Sequence, residues 1–202
     1  MTVKTELRVV SGSLKGRRIE FETHQDLRPT PLRVREALFS ILGQGLAGMP
    51  FFDVFGGTGI NGLEALSRGA SRAVFIERDF QLAAVIEKYL KKFQVWGQAR
   101  VLSTDAYRWA ARLLPQNERS IIFISPPFAD LVNHKSEIRE MIQAFQEKFP
   151  PATVICIQIE SDQPMEDLPG KEPWDKRTYG RNELCFWVKG ENPTPVDAAN
   201  ET

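Results

Sequence analysis

The stretch that most constrains this chain is an apolar strand that runs directly into a glycine-rich loop and then a helix. Its sequence is FFDVFGGTGINGLEALSRGA, residues 51–70. Glycines at such a junction allow a sharp turn and let backbone N–H groups approach a ligand closely. Gly57, Gly59 and Gly62 match the dinucleotide-binding pattern G-x-G-x-x-G, although that match is weak on its own. A tight turn that holds no ligand is the alternative.

Apolar runs rich in β-branched and aromatic residues alternate with helical patterns over most of the chain. The runs are FFDVF, AVFIE, RVLS, IIFI and TVICIQI, and helices are predicted over 60–69, 80–93, 106–114 and 135–148. This alternation predicts an α/β fold: a mostly parallel, twisted sheet with helices on both faces. The later runs PWDKRTYG and ELCFWVKG predict an antiparallel C-terminal hairpin that turns at Tyr179-Gly180-Arg181.

Acidic residues follow the second and third predicted strands, at the edge where open α/β sheets bind ligands. Glu77 ends AVFIE, twenty-one residues after Gly56, and can accept hydrogen bonds from both ribose hydroxyls of a nucleoside. Asp105, in the run STDA, can accept from the exocyclic amine of an adenine ring. Each acid alone is also explained as a solvated loop residue or a helix cap. Together with the glycine loop, they predict a site for an adenosine-containing cofactor.

Asp53 lies inside the first strand of that site, two residues before Phe55, where the glycine loop begins. A carboxylate among apolar neighbours is costly unless it is paired. Two interpretations stay open: Asp53 contacts the amino-acid end of the cofactor, or it bonds to amides of the loop and braces it.

The fourth strand, IIFI, ends in Ser125-Pro126-Pro127-Phe128. Two prolines remove two backbone donors and hold the chain extended, which leaves carbonyl oxygens available to accept hydrogen bonds. Phe128 then presents an aromatic face beside the cofactor site. A simple strand end with Phe128 in the core is the alternative.

Charge is distributed unevenly, although 26 basic and 26 acidic residues give a formal net charge of zero. The first 35 residues carry eight basic and four acidic side chains, about +4, which leaves about −4 on the remaining 167. In this segment LRVV and RRIEF flank SGSLKG and predict a β-hairpin, and Thr30-Pro31 predicts the start of a helix over 31–43. Such a basic extension is typical of a nucleic-acid-binding surface, with a solvated basic face as the alternative.

The 202 residues are expected to form three parts. Residues 1–45 form a basic hairpin and helix extension, 46–190 a cofactor-binding domain, and 191–202 a disordered tail. Cys156 and Cys185 lie in apolar runs and are expected to be buried thiols. No run of about 18 apolar residues is present and the first residues lack a signal-peptide pattern, so a cytoplasmic protein without a membrane span is expected.

The combined motifs resemble a known family. DVFGGTG, Glu77, Asp105 and SPPF resemble the class I S-adenosylmethionine-dependent amino-methyltransferases. RVVSGSLKGRRI, LRPTPLRVREALFSIL, GLEALSRGA and KRTYG resemble the RsmD family, over roughly residues 6–189. That family methylates the exocyclic amine of a guanine in bacterial 16S ribosomal RNA. The resemblance implies a Rossmann-like class I methyltransferase fold and S-adenosyl-L-methionine as cofactor. It further implies 16S ribosomal RNA or the small ribosomal subunit as partner. Methyl transfer from a sulfonium requires no metal and the sequence offers no metal-ligand cluster, so no metal is expected, and nothing in the sequence suggests more than a monomer.

Three groups of site residues are expected from the motifs, the charge distribution and this resemblance together. The catalytic group is Ser125, Pro126, Pro127 and Phe128. The cofactor-binding group is Asp53, Phe55, Gly56, Gly57, Thr58, Gly59, Gly62, Glu77, Arg78, Asp105 and Ala106. The RNA-binding group is Lys15, Arg17, Arg18, Arg28, Thr30, Arg33, Tyr179 and Arg181.

Ser125 is the position at which the chain departs from the family, where Asp or Asn usually precedes Pro-Pro. That oxygen accepts a hydrogen bond from the target amine and turns its lone pair toward the methyl group. A serine hydroxyl is shorter, uncharged, and can donate as well as accept. Three interpretations stay open: Ser125 still accepts, the carbonyl of Pro126 does most of the work in a weakened enzyme, or the chain is an RNA binder of ribosome assembly that has lost turnover.

A nicotinamide-dependent oxidoreductase is a further alternative, because G-x-G-x-x-G is also the fingerprint of that class. It leaves SPPF and the basic hairpin unexplained. In the methyltransferase interpretation Phe128 stacks on the target base, which must be single-stranded or flipped out of its helix to reach the site.

Overall fold

The computed structural model describes residues 3–23, 29–162, 165 and 168–190. Within these ranges, no helix is long and apolar enough to cross a membrane. The elements in chain order are β1 (Val3–Arg8), β2 (Arg18–Thr23), α1 (Leu32–Leu42), β3 (Pro50–Val54), α2 (Ile60–Ser67), β4 (Arg72–Glu77), α3 (Phe80–Lys92), β5 (Ala99–Ser103), α4 (Ala106–Ala111), β6 (Ile121–Ile124), α5 (Phe128–Asn133), α6 (Lys135–Lys148), β7 (Val154–Glu160), β8 (Asp175–Tyr179) and β9 (Asn182–Val188).

Seven of the strands form one sheet in the order β5-β4-β3-β6-β7-β9-β8. The first five strands of this order are parallel to one another, whereas β9 is antiparallel to both β7 and β8. The mostly parallel sheet and the antiparallel C-terminal hairpin are therefore confirmed. Because β3 lies between β4 and β6, the strand order reverses beside β3, which is where open α/β sheets bind ligands.

The two faces of the sheet are covered by different helices because successive strand residues point in opposite directions. Phe51 and Phe123 point toward the side that carries α1 and α2 and are fully buried there. Phe52 and Ile122 point to the other side and pack with residues of α4 and α6. Helices on both faces are thus confirmed. Cys156 and Cys185 are also buried and unbridged, as expected.

Two local predictions are corrected. Thr30 does not cap α1: Pro31 takes the N-cap position, and Oγ1 of Thr30 instead accepts from Nδ2 of Asn61 at 3.1 Å. Helix α5, which begins directly after Pro127, is not among the predicted helices. Proline is tolerated there because the first N–H groups of a helix have no intrahelical acceptor. Arg28 and the tail 191–202 lie outside the described residues.

The N-terminal hairpin is held to α2 by one buried carboxylate. Glu64 is fully buried, and its oxygens accept from the backbone N–H of Val10 at 2.7 Å and of Ser11 at 3.0 Å. The same carboxylate accepts from Nε of Arg68 at 2.7 Å. Three charge-assisted hydrogen bonds therefore neutralise and satisfy Glu64 inside the protein.

Ser67 and Gly12 complete this attachment. Oγ of Ser67 donates to the carbonyl of Ser11 and accepts from the N–H of Leu14 at 2.8 Å. Gly12 has φ +80°, and a Cβ at that position would lie 1.8 Å from the carbonyl oxygen of Ser67. Farther along the hairpin, the Tyr89 hydroxyl of α3 bonds to both backbone polar groups of Glu20. The motifs SGSLKG and GLEALSRGA are thus the two halves of one contact.

Removing the Glu64 carboxylate should loosen this contact. We expect Glu64→Ala to lower the free energy of unfolding by about 3 kcal/mol, because two backbone donors and Arg68 lose a buried acceptor. Urea denaturation measures the change. Glu118→Ala is the matched control: Glu118 forms an exposed ion pair with Arg72, worth less than about 1 kcal/mol. Equal losses in the two variants would contradict the role given to Glu64.

Candidate active site

A cleft of about 870 Å³ opens at the carboxyl ends of the parallel strands beside β3. The structure brings thirteen of the sequence-predicted residues together in its lining. They are Thr30, Phe55, Gly56, Gly57, Thr58, Glu77, Arg78, Ala106, Ser125, Pro126, Pro127, Phe128 and Arg181. The cleft therefore contains the expected nucleoside-binding loop and the expected catalytic segment side by side.

Glu77 forms the link between two loops of this cleft. Its Oε2 accepts from the N–H of Gly57 at 2.7 Å, and its Oε1 accepts from the N–H of Asp79 at 2.8 Å. Burial raises the pKa of Glu77, and the two backbone donors act in the opposite direction. A carboxylate has about four acceptor positions, so two of them remain for donors such as ribose hydroxyls.

The glycines of the loop differ in what they allow. Gly59 has φ +74° and occupies the position just before α2, where a left-handed conformation favours glycine. Gly62 lies on α2 against the sheet, and a Cβ there would approach the Phe75 ring to 2.1 Å. Gly59 and Gly62 are therefore needed for the turn and for close packing, and neither lines the cleft.

Asp53 lies beneath the loop and not in the cleft lining. It is fully buried, and its Oδ2 accepts from the N–H of Gly62 at 2.9 Å, whereas Oδ1 has no hydrogen-bond partner among the described residues. Burial raises the pKa of Asp53 to about 7. Of the two interpretations left open by the sequence, this contact matches bracing of the loop and the first turn of α2.

Asp105 caps a helix beside the cleft. Its Oδ1 accepts from the N–H of Arg108 at 2.9 Å, and the side chain is the N-cap of α4. The next residue, Ala106, lines the cleft, whereas Asp105 is outside the lining. The predicted contact of Asp105 with an adenine amine stays a prediction.

The expected catalytic segment continues directly from β6. The N–H of Ser125 donates to the carbonyl of Val54 at 3.1 Å, which extends the parallel pairing to the end of the strand. Its hydroxyl donates to Oε1 of Gln158 at 3.4 Å. Gln158 lines the cleft and is absent from the sequence-predicted site, although a lone amide within the apolar run TVICIQI is a usable signal.

Asp130, a further acid of the cleft lining, is also absent from the sequence-predicted site. It lies on the unpredicted helix α5, is largely buried, and accepts from the hydroxyl of Tyr107 at 2.7 Å. Burial and this bond raise the pKa of Tyr107, so the phenol remains a donor. The Tyr107 ring meets Phe55 edge-on at 5.4 Å. Phe55 adopts φ 63°, a conformation rare for a bulky residue, at the start of the glycine loop.

Most of the expected RNA-binding residues lie outside the cleft lining: Lys15, Arg17, Arg18, Arg33 and Tyr179. The guanidinium of Arg17 lies 5.8 Å from the ring centre of Phe93, just past the C-terminal end of α3. The cleft borders the other end of α3, roughly 18 Å away at 1.5 Å per residue. Arg17 therefore lies far from the cleft, at the opposite end of α3.

The fold is that of the class I methyltransferases. A putative methyltransferase from Escherichia coli, yhhF, has the same fold with a TM-score of 0.76 and 27% identity, over 93% of this chain and all of that one. The T. thermophilus 16S rRNA N2 G1207 methyltransferase RsmC, solved with AdoMet and guanosine, has a TM-score of 0.71 and 19% identity, over 94% of this chain and 51% of that one. The latter likeness concerns the fold alone.

The sequence defines the family more narrowly. The chain belongs to the family described as "Conserved hypothetical protein 95", which it matches over residues 7–188. It is also 33% identical over 158 residues to the ribosomal RNA small subunit methyltransferase D of Escherichia coli strain K12, which covers 78% of this chain and 75% of that protein. The resemblance to the RsmD family is therefore confirmed.

The raised pKa of Asp53 predicts a pH dependence of stability. Between 3.8 and about 7 the unfolded chain loses this proton while the folded chain keeps it, so the group lowers stability as pH rises. Asp53→Asn cannot ionise. We expect its unfolding free energy, relative to wild type, to increase by on the order of 3 kcal/mol from pH 4 to pH 7 and then to level off. Urea denaturation across this range checks it, and a difference independent of pH would contradict it.

Proposed function

We propose that this protein transfers the methyl group of S-adenosyl-L-methionine to the exocyclic amine, N2, of a guanine in 16S ribosomal RNA. The observation that carries the proposal is the adjacency of Glu77 and its glycine loop to Ser125-Pro126-Pro127-Phe128 in one cleft. The names of the relatives support it: one is a ribosomal RNA small subunit methyltransferase D, and a protein of the same fold is a 16S rRNA N2 methyltransferase.

The cofactor half of the cleft suits a nucleoside with an attached amino acid. Glu77 offers its remaining acceptor positions to the ribose hydroxyls, while Gly56, Gly57 and Thr58 present backbone to the ligand. The sulfonium of the bound cofactor supplies an activated methyl group with a good leaving group. The protein then has to hold the amine in line and exclude other orientations, which is catalysis by positioning.

The target half of the cleft suits a flat base that carries an amine. The prolines at 126 and 127 donate no backbone hydrogen bond, so the carbonyl of Pro126 and the hydroxyl of Ser125 are available as acceptors for the amine. Phe128 provides a stacking surface for the base. An aromatic pocket of this kind accepts only a base that has left its helix.

Basic side chains inside the cleft and outside it would hold the RNA. Arg78 and Arg181 line the cleft, and Arg181 lies 3.9 Å from Glu160 and 3.7 Å from Asp162. Arg17 of the basic hairpin lies beside Phe93, just past the C-terminal end of α3, and can meet a second phosphate backbone. Both contacts should weaken as salt concentration rises.

Loss of the Glu77 carboxylate should abolish cofactor binding. We expect no measurable heat when Glu77→Ala is titrated with S-adenosylhomocysteine, because the ribose acceptors and the link between Gly57 and Asp79 disappear together. Glu87→Ala, on the outer surface of α3, should bind like wild type. A circular dichroism melt of each variant establishes folding. Undiminished binding by folded Glu77→Ala, or binding of NAD alone by wild type, would contradict the assignment.

Methyl transfer itself is tested on small ribosomal subunits from a strain that lacks this protein. We expect tritium from methyl-labelled S-adenosylmethionine to enter 16S ribosomal RNA with wild type, and not with Glu77→Ala. Subunits from the parent strain, already methylated, should incorporate much less. A wild-type protein that binds both cofactor and RNA without incorporation would instead identify an RNA binder that has lost turnover.

A further inference from the structure

Gln158 is a buried polar side chain of the cleft that the proposed function does not yet use. Only 4% of it is exposed, and it follows Ile157 on β7 beside Ser125. A buried amide is costly unless its polar atoms are bonded. Here both ends are bonded: Nε2 donates to Oδ1 of Asn182 at 2.9 Å, and Oε1 accepts from Oγ of Ser125 at 3.4 Å.

The direction of these bonds determines where the Ser125 hydrogen points. Because Asn182 accepts from the amide nitrogen of Gln158, the amide oxygen is the atom that faces Ser125. A serine hydroxyl has one hydrogen and two lone pairs. With the hydrogen directed at Gln158, the oxygen of Ser125 can present only lone pairs to a group in the cleft.

We propose that Gln158, held by Asn182, is a positioning residue that makes Ser125 an acceptor for the exocyclic amine of the target base. This inference rests on the proposed function. If the amide faced the other way, its NH₂ group would donate to Ser125 and would turn the hydroxyl hydrogen into the cleft. That hydrogen would then compete for the amine lone pair that has to attack the methyl group. The observed bonds from Gln158 to Asn182 and from Ser125 to Gln158 avoid this competition, because they direct the hydroxyl hydrogen away from the cleft.

The test replaces the amide group of Gln158 with an apolar group of similar length, which removes the bonds to both Ser125 and Asn182. We expect Gln158→Met to lower the kcat of methyl transfer about tenfold while KM for subunits, KM for S-adenosylmethionine and the affinity for S-adenosylhomocysteine stay within about twofold. Gln146→Met is the matched control. Gln146 donates to the carbonyl of Pro169 at 2.7 Å, outside the cleft lining, and its replacement should leave kcat unchanged.

Introducing Gln158→Met into the Ser125→Asp variant distinguishes a positioning role of Gln158 from a role in packing alone. In Ser125→Asp the ionised carboxylate can only accept, so it needs no partner to orient a hydrogen. We expect this variant to keep at least the wild-type kcat, and the added Gln158→Met change to alter kcat less than about twofold. A packing role for Gln158 would instead lower kcat by the same factor in both backgrounds.

Three results would overturn the inference while leaving methyl transfer by wild type intact. They are no loss in Gln158→Met, equal losses in the two backgrounds, and loss of transfer in Ser125→Asp. A wild-type protein that transfers no methyl group would overturn the proposed function and this inference together, so the two failures are distinguishable.

Discussion

The Glu77 carboxylate between the N–H groups of Gly57 and Asp79 is the interaction on which the site depends. It joins the glycine loop after β3 to the start of α3 and keeps acceptor positions for a ligand. Asp53, deep in the protein, accepts from Gly62 in the first turn of α2, directly after that loop, and burial favours its protonated form. One acid thus faces the cleft, and a second holds the start of the helix that follows the loop.

Helix α2 connects this site with the basic extension. Its first residues follow the glycine loop, and near its other end Glu64 and Ser67 bind the hairpin backbone. The hairpin is therefore fixed relative to the cleft, although its basic side chains lie away from it. This arrangement suits a large, folded substrate that meets the protein at two places. The formal charge of zero conceals it, because a basic extension and an acidic remainder cancel.

The fold was largely predictable, whereas the corrections concern contacts between distant residues. Short apolar runs rich in β-branched and aromatic residues, together with the glycine loop, depend on local chemistry, so the strands and most helices follow from them. Thr30 has a good capping side chain, but its hydroxyl is used by Asn61, 31 residues away. Gln158 lies in the cleft because the sheet order places β7 beside β6, and Asp130 lies there because α5 follows Pro127. The sequence patterns determine neither the sheet order nor this helix. The distance between hairpin and cleft likewise depends on how α3 packs.

The most direct test of the proposed reaction is the identity of the methylated nucleoside. After reaction of wild type with unmethylated small subunits, 16S ribosomal RNA can be digested and its nucleosides identified by mass spectrometry. We predict one new product, N2-methylguanosine, which is missing when Glu77→Ala replaces wild type. A methyl group on another atom or base, or no methylated nucleoside from a protein that binds cofactor and subunit, would contradict it.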